Sequence, residues 1–456
     1  MKIAVLLKYY RGELNPFDAA TLECALETGE EIVALAMAPA SVLPALESLT
    51  RLGVKAYLIS DPTYAGSDTQ ATARVLAAAL ERLSPDVIFT GRQSIDGDTG
   101  QVPFMLAEIL NMDIVSGVLE FTPEALTSRE GKSFSLCKKN IYSFERIRSL
   151  RFPSIFSKKG KVQVIDNKTL GIDRALCGIT GSPTRVIRSY ESTVGRRDCK
   201  FIETRELDTL IKESLLKNRS THTSEGKETK KIARIHYVGN IRNIAEQFAD
   251  EAIELQYGNK PPAEFADELH RIGAQVVLFE NTTALKRLSS SIAVITGAGL
   301  CADCIFFKEE NGRAVMTRPA LGGNVTADIV CESQLSLATV RPTKTNGSNV
   351  MFAVGKGAIE HLGAITTLAE KYSAELVCSR PLADAGIMPY AAQVGLTGKM
   401  ASPRVYVTFG ISGAVQHTCA ISGAETVIAV NIDKKARIFD YADYGIITDL
   451  KNLILK

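Results

Sequence analysis

Cys378-Ser-Arg380, Gln393-Val-Gly-Leu-Thr-Gly398 and Gly410-Ile-Ser-Gly-Ala-Val-Gln-His417 are three polar turns set between apolar runs, and their reading decides the fold. Glu375-Leu-Val-Cys378 before the first reads as a short strand. Val405-Tyr-Val-Thr-Phe409 reads as the next strand, running into a glycine turn that opens a helix. Turns of this kind bind anions. Glycine lets the backbone approach a phosphate, and free N–H groups with a helix dipole favour negative charge. Arg380 adds a fixed cation and His417 a titratable one. This chemistry suits a phosphate-bearing cofactor with an electron-accepting ring. The competing reading is that glycine after a strand only makes a tight turn, and one loop alone does not separate the two.

The order of the pieces separates them. Ser379-Arg380, Gln393–Gly398, Gly410–His417, then Ala429-Val-Asn-Ile-Asp433 and Ala442-Asp-Tyr-Gly445, resemble the FAD domain of the electron-transfer flavoprotein alpha subunit, from near Val350 to the end. The resemblance implies a doubly wound, Rossmann-like FAD domain over 343–456. It places Ser379 and Arg380 near the flavin ring and diphosphate. Gln393, Val394, Gly395, Leu396 and Thr397 would wrap the ring edge, with Thr397 near N5. Ser412, Gly413, Ala414, Val415, Gln416 and His417 would bind diphosphate and ring, with His417 near the pyrimidine carbonyl. Asn431 and Asp449, with Leu450, would hold the adenosine end. Lys356, in Gly355-Lys-Gly357, stands where the family usually has arginine. Lysine keeps the charge but loses the bidentate fork on a phosphate.

Composition sets wider bounds. A chain of 456 residues predicts two to four domains. Its net charge of +2 gives no basic patch for nucleic acid or anionic lipid. No apolar run reaches the length of a membrane span, and Met1–Leu7 reads as a strand with no cleavage site after it. Nine scattered cysteines fit a reducing cytoplasm better than a disulfide framework.

Residues 1 to about 120 alternate strand and helix. Apolar runs at Ile3–Leu7, Ile32–Met37, Ala56–Ile59 and Val87–Thr90 predict strands. Amphipathic patterns at Asp18–Glu27, Val42–Leu52 and Thr69–Leu83 predict helices between them. Such alternation argues for a parallel sheet covered on both faces, with ligands at the carboxyl edge of its strands. At that edge lies Gly91-Arg-Gln-Ser-Ile-Asp-Gly-Asp-Thr-Gly-Gln-Val102, before a helix expected at Pro103–Leu110. Gly97 and Gly100 permit close backbone approach, and Asp98 or Thr99 could cap the helix. A capped loop without ligand is the alternative.

With Leu14-Asn-Pro-Phe-Asp18, Met37-Ala-Pro39, Ser60-Asp61 and Gly181-Ser-Pro-Thr184, this loop resembles the electron-transfer flavoprotein beta subunit over roughly residues 1–205. The D-G-D-T form is similar to the branch that binds a second FAD here rather than AMP, a branch that includes electron-bifurcating members and those serving carnitine and nitrogen-fixation pathways. The resemblance implies a second nucleotide, FAD or AMP, at Leu6, Asn15, Met37, Asp96, Gly97, Asp98, Thr99, Gly100, Gln101 and Val102. Two departures stand out. Only Tyr9–Glu13 fill the place of a longer hairpin after Lys8. Lys161–Thr180 is short and lacks the E-P-R-Y-like start of the loop that docks a partner dehydrogenase in relatives.

From about Glu203 the chain turns polar. Glu206–Leu216 reads as a helix, and Lys217–Lys231 as a solvated tether, so 206–231 is expected to be a linker. A second alternating region follows at 232–342, with strands expected at Ile235–Val238, Gln275–Glu280 and Ala293–Thr296. Gly299–Cys304 and Thr317-Arg-Pro-Ala-Leu-Gly-Gly-Asn-Val-Thr-Ala327 resemble the first domain of the alpha subunit. Cys301-x-x-Cys304 lacks a second pair for zinc and reads as core or as a redox pair. His222, His236, His270 and His361 lie in no motif.

The expectation is an α/β chain. It has parallel-sheet sandwich domains of adenine-nucleotide-binding type and a C-terminal doubly wound FAD domain. The resemblance implies beta-like and alpha-like halves fused in one electron carrier. Such a carrier takes electrons from a flavin dehydrogenase, such as an acyl-CoA dehydrogenase type, and passes them to another redox partner. The alternatives are an NAD-linked flavin oxidoreductase, which would want a complete G-x-G-x-x-G, and an adenine-nucleotide-binding module without redox chemistry.

Overall fold

The computed structural model describes residues 1–191, 196–216, 230–258, 260–321, 325–340, 348–395 and 398–454. They fall into two compact units. One takes in Met1–Ser189, Lys230–Leu321 and Ala327–Arg341; the other takes in Tyr190–Thr229, Gly322–Thr326 and Pro342–Lys456. The α/β class with parallel sheets is borne out.

In the first unit, Lys2–Leu7 is an unbroken apolar strand whose last five residues are buried, as a strand covered on both faces must be. It pairs in parallel with Glu31–Met37 on one side and Val87–Gly91 on the other. Lys55–Ile59 extends the sheet beyond Glu31–Met37, and Asn140–Phe144 extends it beyond Val87–Gly91. The helix Thr69–Leu83 starts where the Asp68 carboxylate accepts from the N–H groups of Gln70 and Ala71, and it stops at Ser84 in a left-handed conformation. A second sheet is built from Ala249–Glu254, Ile232–Val238, Val276–Glu280, Ser336–Val340 and Gly299–Cys304, in that spatial order. Helices from both regions share one core, in which Leu76, Leu80, Met105 and Leu106 meet Phe265, Leu269, Leu288 and Ile292. Gln70 Nε2 also donates to the Ala293 carbonyl at 2.6 Å.

In the second unit, five parallel strands run in the order Glu375–Cys378, Val350–Val354, Val405–Phe409, Thr426–Asn431, Tyr444–Ile447. This is the doubly wound order 2-1-3-4-5.

Several expectations are corrected. Ala293–Thr296 is not a strand but the last turn of the helix Thr283–Thr296, which the Thr282 hydroxyl opens and Gly297 closes. Its short apolar run carries no period that separates strand from helix. Around the expected linker 206–231, two segments pack on the last sheet. Lys200–Phe201 joins the edge of the last sheet beside Tyr444–Gly445, and the helix Leu207–Leu216 buries Leu207, Leu210 and Ile211 against Val350 and Phe352. The helix expected at Glu206–Leu216 is therefore part of the last domain's core. Residues 217–229 lie outside the described residues. Asp98 and Thr99 do not cap the helix Val102–Ile109, whose N-cap is Gln101 without a side-chain bond. The turn at Gly410 opens a helix of only 4 residues, Val415–Thr418, too short for a substantial dipole. No helix among the described residues is long and apolar enough to cross a membrane.

Candidate functional site

The first site follows from topology. Lys2–Leu7 and Val87–Gly91 are adjacent parallel strands, and the chain leaves them toward opposite sides of the sheet. Their carboxyl ends therefore border a crevice, the usual ligand position in such folds. A cavity of about 1030 Å³ opens there. Leu6, Asn15, Met37, Asp96, Gly97, Thr99, Gly100, Gln101 and Val102 all line it; Asp98, alone of the residues expected here, does not. Asp98 sits in the left-handed region and its carboxylate accepts from Gln93 Nε2 at 3.0 Å. The short segment after Lys8 still makes a hairpin, Tyr9–Tyr10 against Glu13–Leu14, through Arg11 and Gly12 at positive φ.

The cavity is polar where a ligand would need it. Gln101 is fully buried, yet among the described residues neither atom of its side-chain amide has a partner, and Asn15 Oδ1 has none either. Buried amides left unpaired cost on the order of 1–3 kcal/mol each, so groups of this kind facing a cavity fit a ligand that pairs them. Lys8 Nζ lies 2.8 Å from Asp96. Burial pushes the Asp96 carboxyl up, but the Lys8 charge and the Ser94 and Gly97 donors outweigh it, and its pKa falls below the usual range. Arg318 Nη1 donates to the Gly97 carbonyl at 2.7 Å, and the Leu321 N–H to the Asp96 carbonyl at 3.0 Å. Sequence reasoning missed Asp18, which also lines the cavity. Burial raises its pKa to about 7, against N–H donors from Lys8, Asn15 and Gly91. It missed the Tyr64–Thr72 stretch as well; the position of that stretch after Lys55–Ile59, at the same sheet edge, was the available signal.

The second site lies where Val350–Val354 and Val405–Phe409 run side by side, again at a switch point. Their glycine turns touch, the Gly357 N–H donating to the Gly410 carbonyl at 3.2 Å. Lys356 is exposed, and Ser379 and Arg380 are partly exposed. The Arg380 guanidinium Nε donates to Asp384 at 3.2 Å. Gln393 and Val394 bridge to the end of Glu375–Cys378 and to Lys399. Leu396 and Thr397 lie outside the described residues. Along 412–417 exposure alternates: Ser412, Ala414 and Gln416 are exposed, whereas Gly413, Val415 and His417 are buried. The exposed edge and the paired glycine turns fit a phosphate-bearing cofactor.

Four expected residues are engaged by their own chain. Asn431 Nδ2 donates to the Ile411 carbonyl and its Oδ1 accepts from the Asp433 N–H. Asp449 accepts from the Lys451 N–H. Leu450 packs in the core with Val350 and Phe352. His417 is not a titratable cation near neutral pH, because burial drives its pKa down to about 4, only partly opposed by its bond to the Val394 carbonyl.

A parallel sheet with glycine turns at its switch point defines an α/β protein of the kind that places a nucleotide there. The electron transfer flavoprotein domain profile matches residues 3–157 and 263–364, and the electron transfer flavoprotein FAD-binding domain profile matches 345–422. The chain is 31% identical over 270 residues to Protein FixB of Clostridium saccharobutylicum, covering 48% of this chain and 81% of that one. It is 30% identical over 220 residues to electron transfer flavoprotein subunit alpha of Bacillus subtilis, covering 39% and 68%. It is 29% identical over 233 residues to lactate dehydrogenase (NAD(+),ferredoxin) subunit LctC of Acetobacterium woodii, covering 41% and 56%. The chain belongs to the electron transfer flavoprotein family, with an electron-transfer role and FAD as the cofactor of its last domain.

Proposed function

We propose that this chain is a single-polypeptide electron-transfer flavoprotein whose first 205 or so residues play the beta-like part and the rest the alpha-like part. In this reading it carries two nucleotides. The last domain binds FAD through the Ser379-Arg380 turn, the 393–398 loop and the outward edge of 412–416. The amino-terminal cavity binds a second. The observation that carries the second site is the cavity itself, lined by the Asp96–Val102 loop, with Gln101 unpaired inside it. Its volume of about 1030 Å³ is at the upper end of ligand pockets, roughly 300–1,000 Å³, which favours FAD over AMP.

Flavin supplies the one- and two-electron chemistry when bound. The chain's own residues bind, orient and set local charge. Two flavins in one chain suit a relay or a bifurcating carrier. The electron donor is a flavin dehydrogenase and the acceptor a further redox partner, in the cytoplasm. Phe152, Ile155 and Phe156, exposed by 95%, 84% and 87%, are the surface we assign to the dehydrogenase. Large apolar side chains clustered in solvent mark interaction sites, and this segment stands just before Lys161–Thr180, the stretch that resembles the position of the docking loop in relatives.

Anaerobic reductive titration of the purified protein tests the reading. Two flavins take up four electrons per chain and bleach the yellow colour in resolved phases. Uptake of two electrons assigns the cavity to a redox-silent nucleotide. A colourless protein contradicts the electron-carrier reading.

A further inference from the structure

Three pieces of the last domain meet at one buried imidazole. The strand Val405–Phe409 brings Tyr406, which is fully buried. The short helix Val415–Thr418 brings His417, and the 393–399 loop brings the Val394 carbonyl. Tyr406 Oη lies 3.0 Å from His417 Nε2, and His417 Nδ1 lies 3.2 Å from the Val394 oxygen. A carbonyl only accepts, so Nδ1 must carry the proton for that bond to form. A neutral ring then presents Nε2 as an acceptor, and the Tyr406 O–H donates to it. Both ring nitrogens are used, and the pair fixes one tautomer.

The surroundings favour this state. No ion pair of the described residues involves Tyr406 or His417, and the shift at His417 comes from burial and the Val394 bond alone. The titratable group acting on Tyr406 is Cys378, a thiol pushed up to about 11 and therefore neutral. Among the described residues, no ion pair compensates a buried imidazolium. The loop end is close as well: a Cβ on Gly395 would lie 3.3 Å from the Gln416 carbonyl oxygen.

We propose that His417 is a neutral clamp rather than a charge. Its Nδ1–H tautomer, set by Tyr406 as the positioning residue, ties the Gln393–Gly395 segment to the Val405–Phe409 strand. The proposal rests on the assignment of that loop to the flavin. It follows that fixed positive charge beside Ser379 comes from Arg380, and that His417 adds no titrating charge to the folded site between pH 5.5 and 8.5.

The test is nitrogen NMR of the full-length, histidine-labelled protein as purified, with His417 assigned by its loss in His417→Gln. The expected spectrum shows a protonated Nδ1 and an accepting Nε2 that do not titrate from pH 5.5 to 8.5. In Tyr406→Phe, Nε2 loses its donor, so its resonance moves and tautomer exchange or titration begins in that range. An Nε2–H tautomer, or titration of the wild-type ring within the range, overturns the clamp. An unchanged His417 signal in Tyr406→Phe overturns the role of Tyr406. Flavin content is read separately on the same samples. A flavin-free wild type with the expected ring signal contradicts the flavin assignment and leaves the clamp standing; a titrating ring with flavin present does the reverse.

Discussion

Arg380 and His417 both look like cations in the sequence, and the structure separates them. Arginine stays charged at any relevant pH, and Arg380 remains partly exposed beside Asp384. Near an electron-accepting ring, one fixed charge is worth on the order of 2 kcal/mol after screening, or about 80 mV for one electron. Arg380→Ala should therefore lower the first one-electron potential of the last-domain flavin by about 80 mV in a spectroelectrochemical titration, whereas loss of flavin with an unchanged potential in the remainder would assign Arg380 to the diphosphate alone. His417 acts on stability instead. Its folded pKa of about 4 lies below the ordinary 6.5. The unfolded chain thus binds the proton first, and stability is lost as pH falls through the window from about 6.5 to 4. The difference amounts to roughly 3 kcal/mol at the acid end. Melting of the last domain should shift down across that window in the wild type and less steeply in His417→Gln; parallel slopes would mean that His417 is solvated. The motif made His417 legible as a site residue. Its charge state was not legible, because that depends on Tyr406 and Val394, 11 and 23 residues away.

At the scale of elements, strands with unbroken apolar runs and helices with an amphipathic period were readable almost to the residue, as Val405–Phe409 and Thr69–Leu83 respectively show. Burial on two faces and amphipathic period are local signals. Turn geometry was less readable. Gly413 was expected to be small because a cofactor approaches it. It has φ +85°, and a Cβ there would overlap the Ile438 backbone nitrogen. The turn is therefore constrained by its own chain before any ligand arrives. Gly413→Ala should destabilise the last domain by roughly 1–3 kcal/mol, read as a lower melting temperature in protein stripped of flavin. Unchanged melting with lost flavin would restore the direct-contact explanation.

Across the whole molecule, the sequence divided the chain into contiguous blocks, and the compact units are not contiguous. Lys200–Phe201, a strand of 2 residues, pairs with Tyr444–Gly445, 244 residues later in the chain. A segment so short carries no periodicity to announce its partner. The cavity, by contrast, was legible as a glycine-rich loop at a sheet edge, though not its depth or its unpaired amide. The proposed docking surface belongs to this scale as well. Replacing Phe152 and Phe156 together by serine should slow reduction by the partner dehydrogenase about tenfold or more, the effect of losing apolar anchors worth roughly 2 kcal/mol. Flavin content should stay constant, and an unaltered rate would place the partner elsewhere.

The central claim is that one chain holds two nucleotides, one in each unit. Denaturing the gently purified protein, separating the released nucleotides by chromatography and quantifying them against protein measures this directly. Two FAD per chain is the expected result, falling to one when Gln101→Leu removes the unpaired amide from the cavity. A single FAD with no second nucleotide of any kind, unchanged by Gln101→Leu, would contradict it.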